Sequence, residues 1–186
     1  MAARILARGY SLSGDKRLLT IALKAVDTIV KRQKENGSWI YGDAKVQDWI
    51  DSFHTGYILE CIKEIAEIAG TEEYSSSLES GMKYYINTFF ESDGFPRYYD
   101  NKRYPVDIHS PAEFFVIYNK FNSVGFGDLK TKVYEWMMNN MFDVKQKYFY
   151  YQKRRLFTNK IKYMRWSQCF AFYALSQIIL ADENLD

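Results

Sequence analysis

The sequence is poor in residues that staple, kink or ligate: two cysteines, three prolines and two histidines among 186 residues. Cys61 and Cys169 form no C-x-x-C pair and sit in apolar helical runs, so they read as buried thiols of a reducing, cytoplasmic setting. Without H-x-x-x-H or clustered Cys/His spacing, neither a metal nor a cofactor is expected. No stretch approaches about 18 uninterrupted apolar residues, which argues against a membrane-spanning helix. The opening MAARILARGY has too short an apolar run for a signal peptide. The net charge of +2 is spread over intermingled signs, giving no electrostatic case for nucleic acid or an anionic membrane.

What the chain does have is aromatics, with 16 Tyr and 13 Phe, and glycines at a fixed period. Gly14, Gly70 and Gly127 recur at nearly equal steps, and the step from Gly37 to Gly94 matches them. Two kinds of break alternating at one period imply a repeated helix–turn–helix–loop unit. Amphipathic stripes predict half-exposed helices over Asp15–Glu35 and Thr71–Ser92, and another through Leu129, Val133, Trp136 and Met141. Between them, Ser52–Ala69, Pro111–Phe121 and Tyr163–Leu180 are apolar on most sides and read as buried. Ala2–Leu12 would be one more buried helix. Buried helices alternating with half-exposed ones are what an inner ring wrapped by an outer ring requires. The fold class is therefore all-α, a partial α/α toroid of seven helices, or three and a half hairpins, in a single domain over residues 1–186. Asp15, Thr71 and Asp128 suit caps of the outer helices, and Ser110-Pro111-Ala112-Glu113 reads as a capping box.

Each outer helix feeds the next inner one through a long loop, and loops of that length usually carry function. All three place aromatics early: Trp39 and Tyr41, then Tyr98 with its neighbours, then the tyrosines around Phe149. Each then delivers polar residues at the next helix start. Asp51 and His54 are matched one period later by Asp107 and His109, and Arg165 and Gln168 follow in the third repeat. Aromatic faces with hydrogen-bonding side chains at a concave mouth suit a carbohydrate ligand. Asp48, Asp51, His54 and His109 are the candidate acid–base residues. Trp39, Tyr41, Tyr98, Asp107, Arg165 and Gln168 are the candidate substrate contacts. Asp51 and Asp107 equally suit helix N-caps, Trp39 a junction plug, and Trp49 and Trp166 the core. The basic stretch from Lys153 to Lys162 favours an anionic ligand or is simply a solvated loop.

The strings QKENGSW, DSFHTGYILECI, KRYPVDIHSPAE and YMRWSQCFAFYAL resemble an uncharacterised family of six-hairpin glycosidase-like toroids encoded among microbial surface-polysaccharide genes. That superfamily includes unsaturated glucuronyl hydrolases, sugar 2-epimerases and polysaccharide lyases. The resemblance implies a C-terminal part of a longer ring, with Asp51, His54, Asp107, His109 and Arg165 where such enzymes hold substrate. It further implies a hydrolase, lyase or epimerase of polysaccharide metabolism acting on a uronate-containing sugar, with Arg165 on the carboxylate. A non-catalytic sugar-binding or scaffold module is the alternative. A terpenoid toroid ranks last, because QKENGSW resembles the QW repeats of terpene cyclases but D-x-D-D and D-D-x-x-D are absent. Open ends of such an arc call for a homodimer or for the missing N-terminal half of the ring.

Overall fold

The computed structural model describes residues 2–121 and 126–183. Among them, seven α-helices run as inner–outer hairpins: α1 (Ala2–Ser13) and α2 (Lys16–Lys31), α3 (Ser52–Ala69) and α4 (Ser75–Phe89), α5 (His109–Lys120) and α6 (Leu129–Met141), then α7 (Cys169–Glu183). The inner helices α1, α3, α5 and α7 pack side by side, and α2, α4 and α6 lie outside them. This is half of an α/α toroid. The sequence patterns account for it: α3 and α5 bury most of their circumference, whereas α2 and α6 bury single stripes such as Ala22 and Val26, or Val133, Met137 and Met141. Fully buried Phe89, Phe114, Phe115, Leu59, Ile62 and Ile65 form the core, each side chain contributing roughly 1.5–3 kcal/mol.

The periodic glycines occupy equivalent corners. Gly37 and Gly94 have φ of 89° and 84°, and each backbone presses on the next outer helix. A Cβ at Gly37 would meet the Ser80 carbonyl oxygen at 2.3 Å, and one at Gly94 would meet the Lys132 carbonyl carbon at 2.4 Å. Glycine is therefore required there on both counts. Gly70 closes α3 in the left-handed conformation, and Asp15 opens α2 by accepting the Arg17 backbone N–H.

A charged network joins the inner helices. Arg4 on α1 donates to Glu60 (2.6 Å) and Glu64 (2.7 Å) on α3, Arg8 pairs with Glu64, and Lys120 on α5 lies 3.5 Å from Glu64. Both glutamates are buried. Burial alone would raise the Glu64 pKa, but hydrogen bonds from Arg8 and Arg4 outweigh it and hold the carboxyl at about 2.

Short extended segments tie the long loops together. The strands β1 (Val106–Asp107), β4 (Gln152–Lys153) and β5 (Thr158–Asn159) form an antiparallel sheet in the order β1–β4–β5, with Asp107 opposite Gln152. The other two, β2 (Phe142–Asp143) and β3 (Tyr148–Phe149), make a hairpin. One repeat earlier, Asp51 bridges Tyr99, and the Ser52 N–H donates to the Tyr98 carbonyl at 2.8 Å. The equivalent Ile108 N–H donates to the Tyr151 carbonyl at 3.1 Å. The entries of α3 and α5 are thus each paired with the aromatic loop of the following repeat.

Several expectations fail. The helix α4 opens at Ser75 behind Tyr74 rather than at Thr71, and Asp128 precedes α6 without a side-chain cap bond. Cys169 is exposed at the start of α7, whereas Cys61 is buried as expected. Trp166 is half exposed and Trp49 partly so, because both lie in the segments leading into inner helices rather than in the helix bodies. The capping box is absent: α5 begins earlier, at His109, so Ser110 lies inside the first turn and donates to the Arg97 carbonyl. Glu113 turns inward, into the room left by Gly56, where a Cβ would sit 2.4 Å from its Cγ.

Glu64→Gln should destabilise the fold by roughly 3 kcal/mol at pH 7, since it leaves two arginines facing a neutral amide in a buried setting. The folded pKa lies below the ordinary 4.5, so the carboxylate's contribution is complete above about 4.5 and fades as the pH falls toward 2. Denaturant melts of both proteins should therefore converge in acid; equal stability at pH 7 would show that the network contributes nothing.

Candidate functional site

The entries of α3 and α5 bring two aspartate–histidine pairs to the same end of the inner arc. Asp51 is the N-cap of α3 and accepts the His54 backbone N–H at 2.8 Å. Both its carboxylate oxygens also lie 2.9 Å from His54 Nδ1, and one accepts the Trp49 indole N–H at 3.0 Å. Asp107, in β1, accepts the His109 backbone N–H at 3.1 Å and lies 2.5 Å from His109 Nδ1. A carboxylate at Nδ1 favours the tautomer protonated there and leaves Nε2 as the available nitrogen. The two helix entries are stitched by Ser52, whose hydroxyl donates to Ser110 at 3.0 Å.

The pairs differ in access. The His54 side chain is 41% exposed, and that of His109 only 3%. Phe53, Trp166 and Phe170 enclose the His109 ring at centroid distances of 5.0, 4.7 and 4.6 Å. Its Nε2 is buried without a hydrogen-bond partner.

Tyrosines surround the pairs. Burial raises the Tyr98 and Tyr99 pKa values, reinforced at each by the charges of both Asp51 and Asp107. Burial first, then the nearby Asp107 carboxylate, pushes the Tyr151 hydroxyl to about 12. Tyr151 also packs against Tyr163. On the His54 side, Tyr41 stacks on Trp49 at 4.5 Å and 14° and meets His54 edge-on. A cavity of about 260 Å³ opens there, walled by Tyr41, Asp51, His54 and Tyr57 over apolar Ile29, Ile40 and Ile58.

Asp51, His54, Asp107, His109, Tyr41 and Tyr98 are thus assembled as their spacing implies. The other candidates are placed differently. Trp39 is 4% exposed: its indole N–H donates to the Ile29 carbonyl at 3.0 Å and its ring presses on Gly81, making it a wedge between α2 and α4 that also lines the cavity beside His54. The Gln168 amide is committed to the Phe149 backbone, accepting its N–H at 2.9 Å and donating to its carbonyl at 2.7 Å. Asp48 is exposed just after a short 3-10 turn (Lys45–Gln47), outside the tyrosine cluster's hydrogen bonds. Arg165 is exposed at the entry to α7. Sequence reasoning missed Trp49 as a site residue and reached Tyr99 and Tyr151 only as members of the loop aromatics. The repeat offered a signal, since Tyr99 and Tyr151 are what the extended segments before α3 and α5 pair with.

No group of His, Cys, Asp and Glu among the described residues has the geometry to hold a metal ion. No helix among them is long and apolar enough to cross a membrane. Glu113 adds a buried titratable group: its Oε1 and the Tyr85 hydroxyl have no hydrogen-bond partner. Burial first, and then the Glu60 charge, raises the Glu113 pKa well above its ordinary value.

No protein-family model and no curated protein matches the sequence. Solved structures do. A heparin-specific unsaturated glucuronyl hydrolase superposes with a TM-score of 0.71 at 20% identity, over 97% of this chain and 50% of its own. Cellobiose 2-epimerase from Bacillus thermoamylovorans gives 0.72 at 12%, over 96% and 51%. An inactive variant of an α-1,6-mannanase from Salegentibacter, in complex with α-1,6-mannotriose, gives 0.75 at 9%, over 96% and 53%. The shared property is the fold, half of an α/α toroid, and the chain spans about half the length of these proteins.

Glu113→Gln should stabilise the protein, with a margin that grows with pH. A raised folded pKa means folding takes up a proton, so wild-type stability declines as the pH rises above 4.5 toward the folded value. Thermal melts from pH 4 to pH 8 should show near-equal Tm at pH 4 and a more stable variant at pH 8; a constant difference would mean that Glu113 does not titrate on folding.

Proposed function

We propose that the tyrosine-lined mouth binds a saccharide, and that His54, held by Asp51, transfers a proton to or from it. The observation that supports this most is the repetition of one device: two aspartate-braced histidines, at equivalent helix entries, beside one cluster of tyrosines. The carboxylates of Asp51 and Asp107 are already taken up by their histidines, and Asp51 by Trp49 as well. The groups left for chemistry are imidazole nitrogens, which can both take up and give back a proton. That favours epimerisation or elimination over hydrolysis by two opposed carboxylates. The exposed Arg165, next to the basic β4–β5 hairpin, suits a ligand carrying a carboxylate, such as a uronate. The resemblance of DSFHTGY and YMRWSQ to a surface-polysaccharide family agrees with that setting. A non-catalytic sugar-binding module is the second reading, favoured by the enclosure of His109.

Acidic and neutral oligosaccharides should change tryptophan fluorescence through the Tyr41–Trp49 stack, the acidic ones at lower concentration. Trp49→Phe should remove most of the signal. His54→Ala should cost no more than about 0.5 kcal/mol of stability, keep binding and lose turnover. Saccharides that leave fluorescence and Tm unchanged at millimolar concentration would dismiss the site, and turnover surviving in His54→Ala would dismiss its role.

The same reading includes a partner. Phe172, Ile179 and Leu180 of α7 are exposed, and an apolar groove follows α7 past Phe142, Met164, Phe172 and Leu175. Such a face is unusual for a soluble monomer. A second copy is the proposed cover, with the other half of a ring as the alternative. Sedimentation of the 22.0 kDa chain at micromolar concentration should give a dimer; a stable monomer that binds no hydrophobic dye would overturn this.

A further inference from the structure

We propose that the turn preceding α7 is a gate: Trp166 covers the Asp107–His109 pair in the closed form and withdraws to admit ligand to His109 Nε2. The function of the gate rests on the reading of the mouth as a saccharide site; its mechanics do not.

Three observations carry it. His109 is oriented by Asp107 as an acid–base group would be, yet its side chain is 3% exposed and Nε2 is buried with no partner. Leaving a polar nitrogen desolvated and unpaired is costly and calls for an explanation. Of the three rings around it, Phe53 is a core residue of α3 and Phe170 packs on the core, whereas Trp166 is 50% exposed. Trp166 alone can leave without emptying the interior.

The third observation is the backbone. Residues Met164–Gln168 form a π-type turn, with the Gln168 N–H donating to the Tyr163 carbonyl and the Cys169 N–H to the Met164 carbonyl, a wider step than the α-helical one in each case. Such wide turns are found mostly as single insertions at functional sites. Passing the extra residue on, so that the turn takes α register, rotates a side chain by about 100° around the helix axis. The downstream end is pinned by Gln168 on the Phe149 backbone. Met164, Arg165 and Trp166 are exposed and make no side-chain hydrogen bond to another described residue, so the freedom is concentrated where Trp166 sits.

The chain has two histidines, which lie in separate tryptic peptides, so carbethoxylation by diethyl pyrocarbonate can be followed at each by mass spectrometry. In the wild-type protein, His54 should react at least ten-fold faster than His109. His109 should nonetheless react faster than the α5 backbone amides exchange with deuterated solvent, as local opening requires. Trp166→Ala, with Trp166→Leu as a second variant, should raise the His109 rate about ten-fold and leave His54 and α5 exchange unchanged. The gate is overturned if His109 reacts as fast as His54 in the wild type, or only as fast as α5 exchanges. It is equally overturned if either folded variant leaves His109 slow, or speeds it only together with α5 exchange. Saccharide binding, read separately through Trp49, stands or falls independently of these rates.

Discussion

Two backbone hydrogen bonds set the geometry on which everything else at the mouth depends: Ser52 N–H to the Tyr98 carbonyl and Ile108 N–H to the Tyr151 carbonyl. Each joins the entry of one inner helix to the aromatic loop of the next repeat. An extended segment held this way fixes where the helix behind it begins, and hence where its first-turn side chains lie. The aspartates stand beside these bonds, so their carboxylates meet both the helix N-termini and the histidines that follow. Without such pairing, the loops would be long excursions with nothing to register them.

The period of the fold was legible because it rests on hard sterics. A glycine pressed against a neighbouring backbone tolerates no other residue, and Gly37 and Gly94 mark the same corner in two repeats. Helix bodies followed from apolar stripes, and α3 has the bounds its sequence predicts. What stayed hidden depended on contacts between repeats. Glu113 looked like a surface cap because its local string fits one, yet the room made by Gly56, on another helix, draws it inside. Trp39 reads as either a stacking face or a junction plug, and the slot beside Gly81, in the body of the next outer helix, is what seats it as a plug. Neither partner is visible from local spacing. Arg4 and Glu60 stand one full period apart, as do Arg8 and Glu64, so the repeat predicts their pairing once its length is known.

Structural and chemical duties fall on the same atoms. Asp51 closes the first turn of α3 and also fixes the ring of His54, so the alternatives posed by the sequence, cap or acid–base partner, are not exclusive. The same holds for Asp107 with His109. A carboxylate with three donors on it is poorly suited to attack a substrate and well suited to hold an imidazole in one orientation. The division of labour at the mouth follows: aspartates orient, histidine nitrogens remain available, and tyrosines supply flat apolar faces with hydroxyls at their edges.

The Glu64 hub has a mechanical consequence. One carboxylate that engages Arg4, Arg8 and Lys120 works like the tooth of a ratchet, because sliding α1 or α5 along α3 by a turn would strand charges in a buried setting. Those three helices are indexed to one another. The joint between α5 and α7 is made differently, by apolar packing and the neutral hydrogen bond from Asn119 to Gln177 at 2.7 Å. Shape rather than charge sets the register of that joint, and it lies beside the more enclosed of the two histidines.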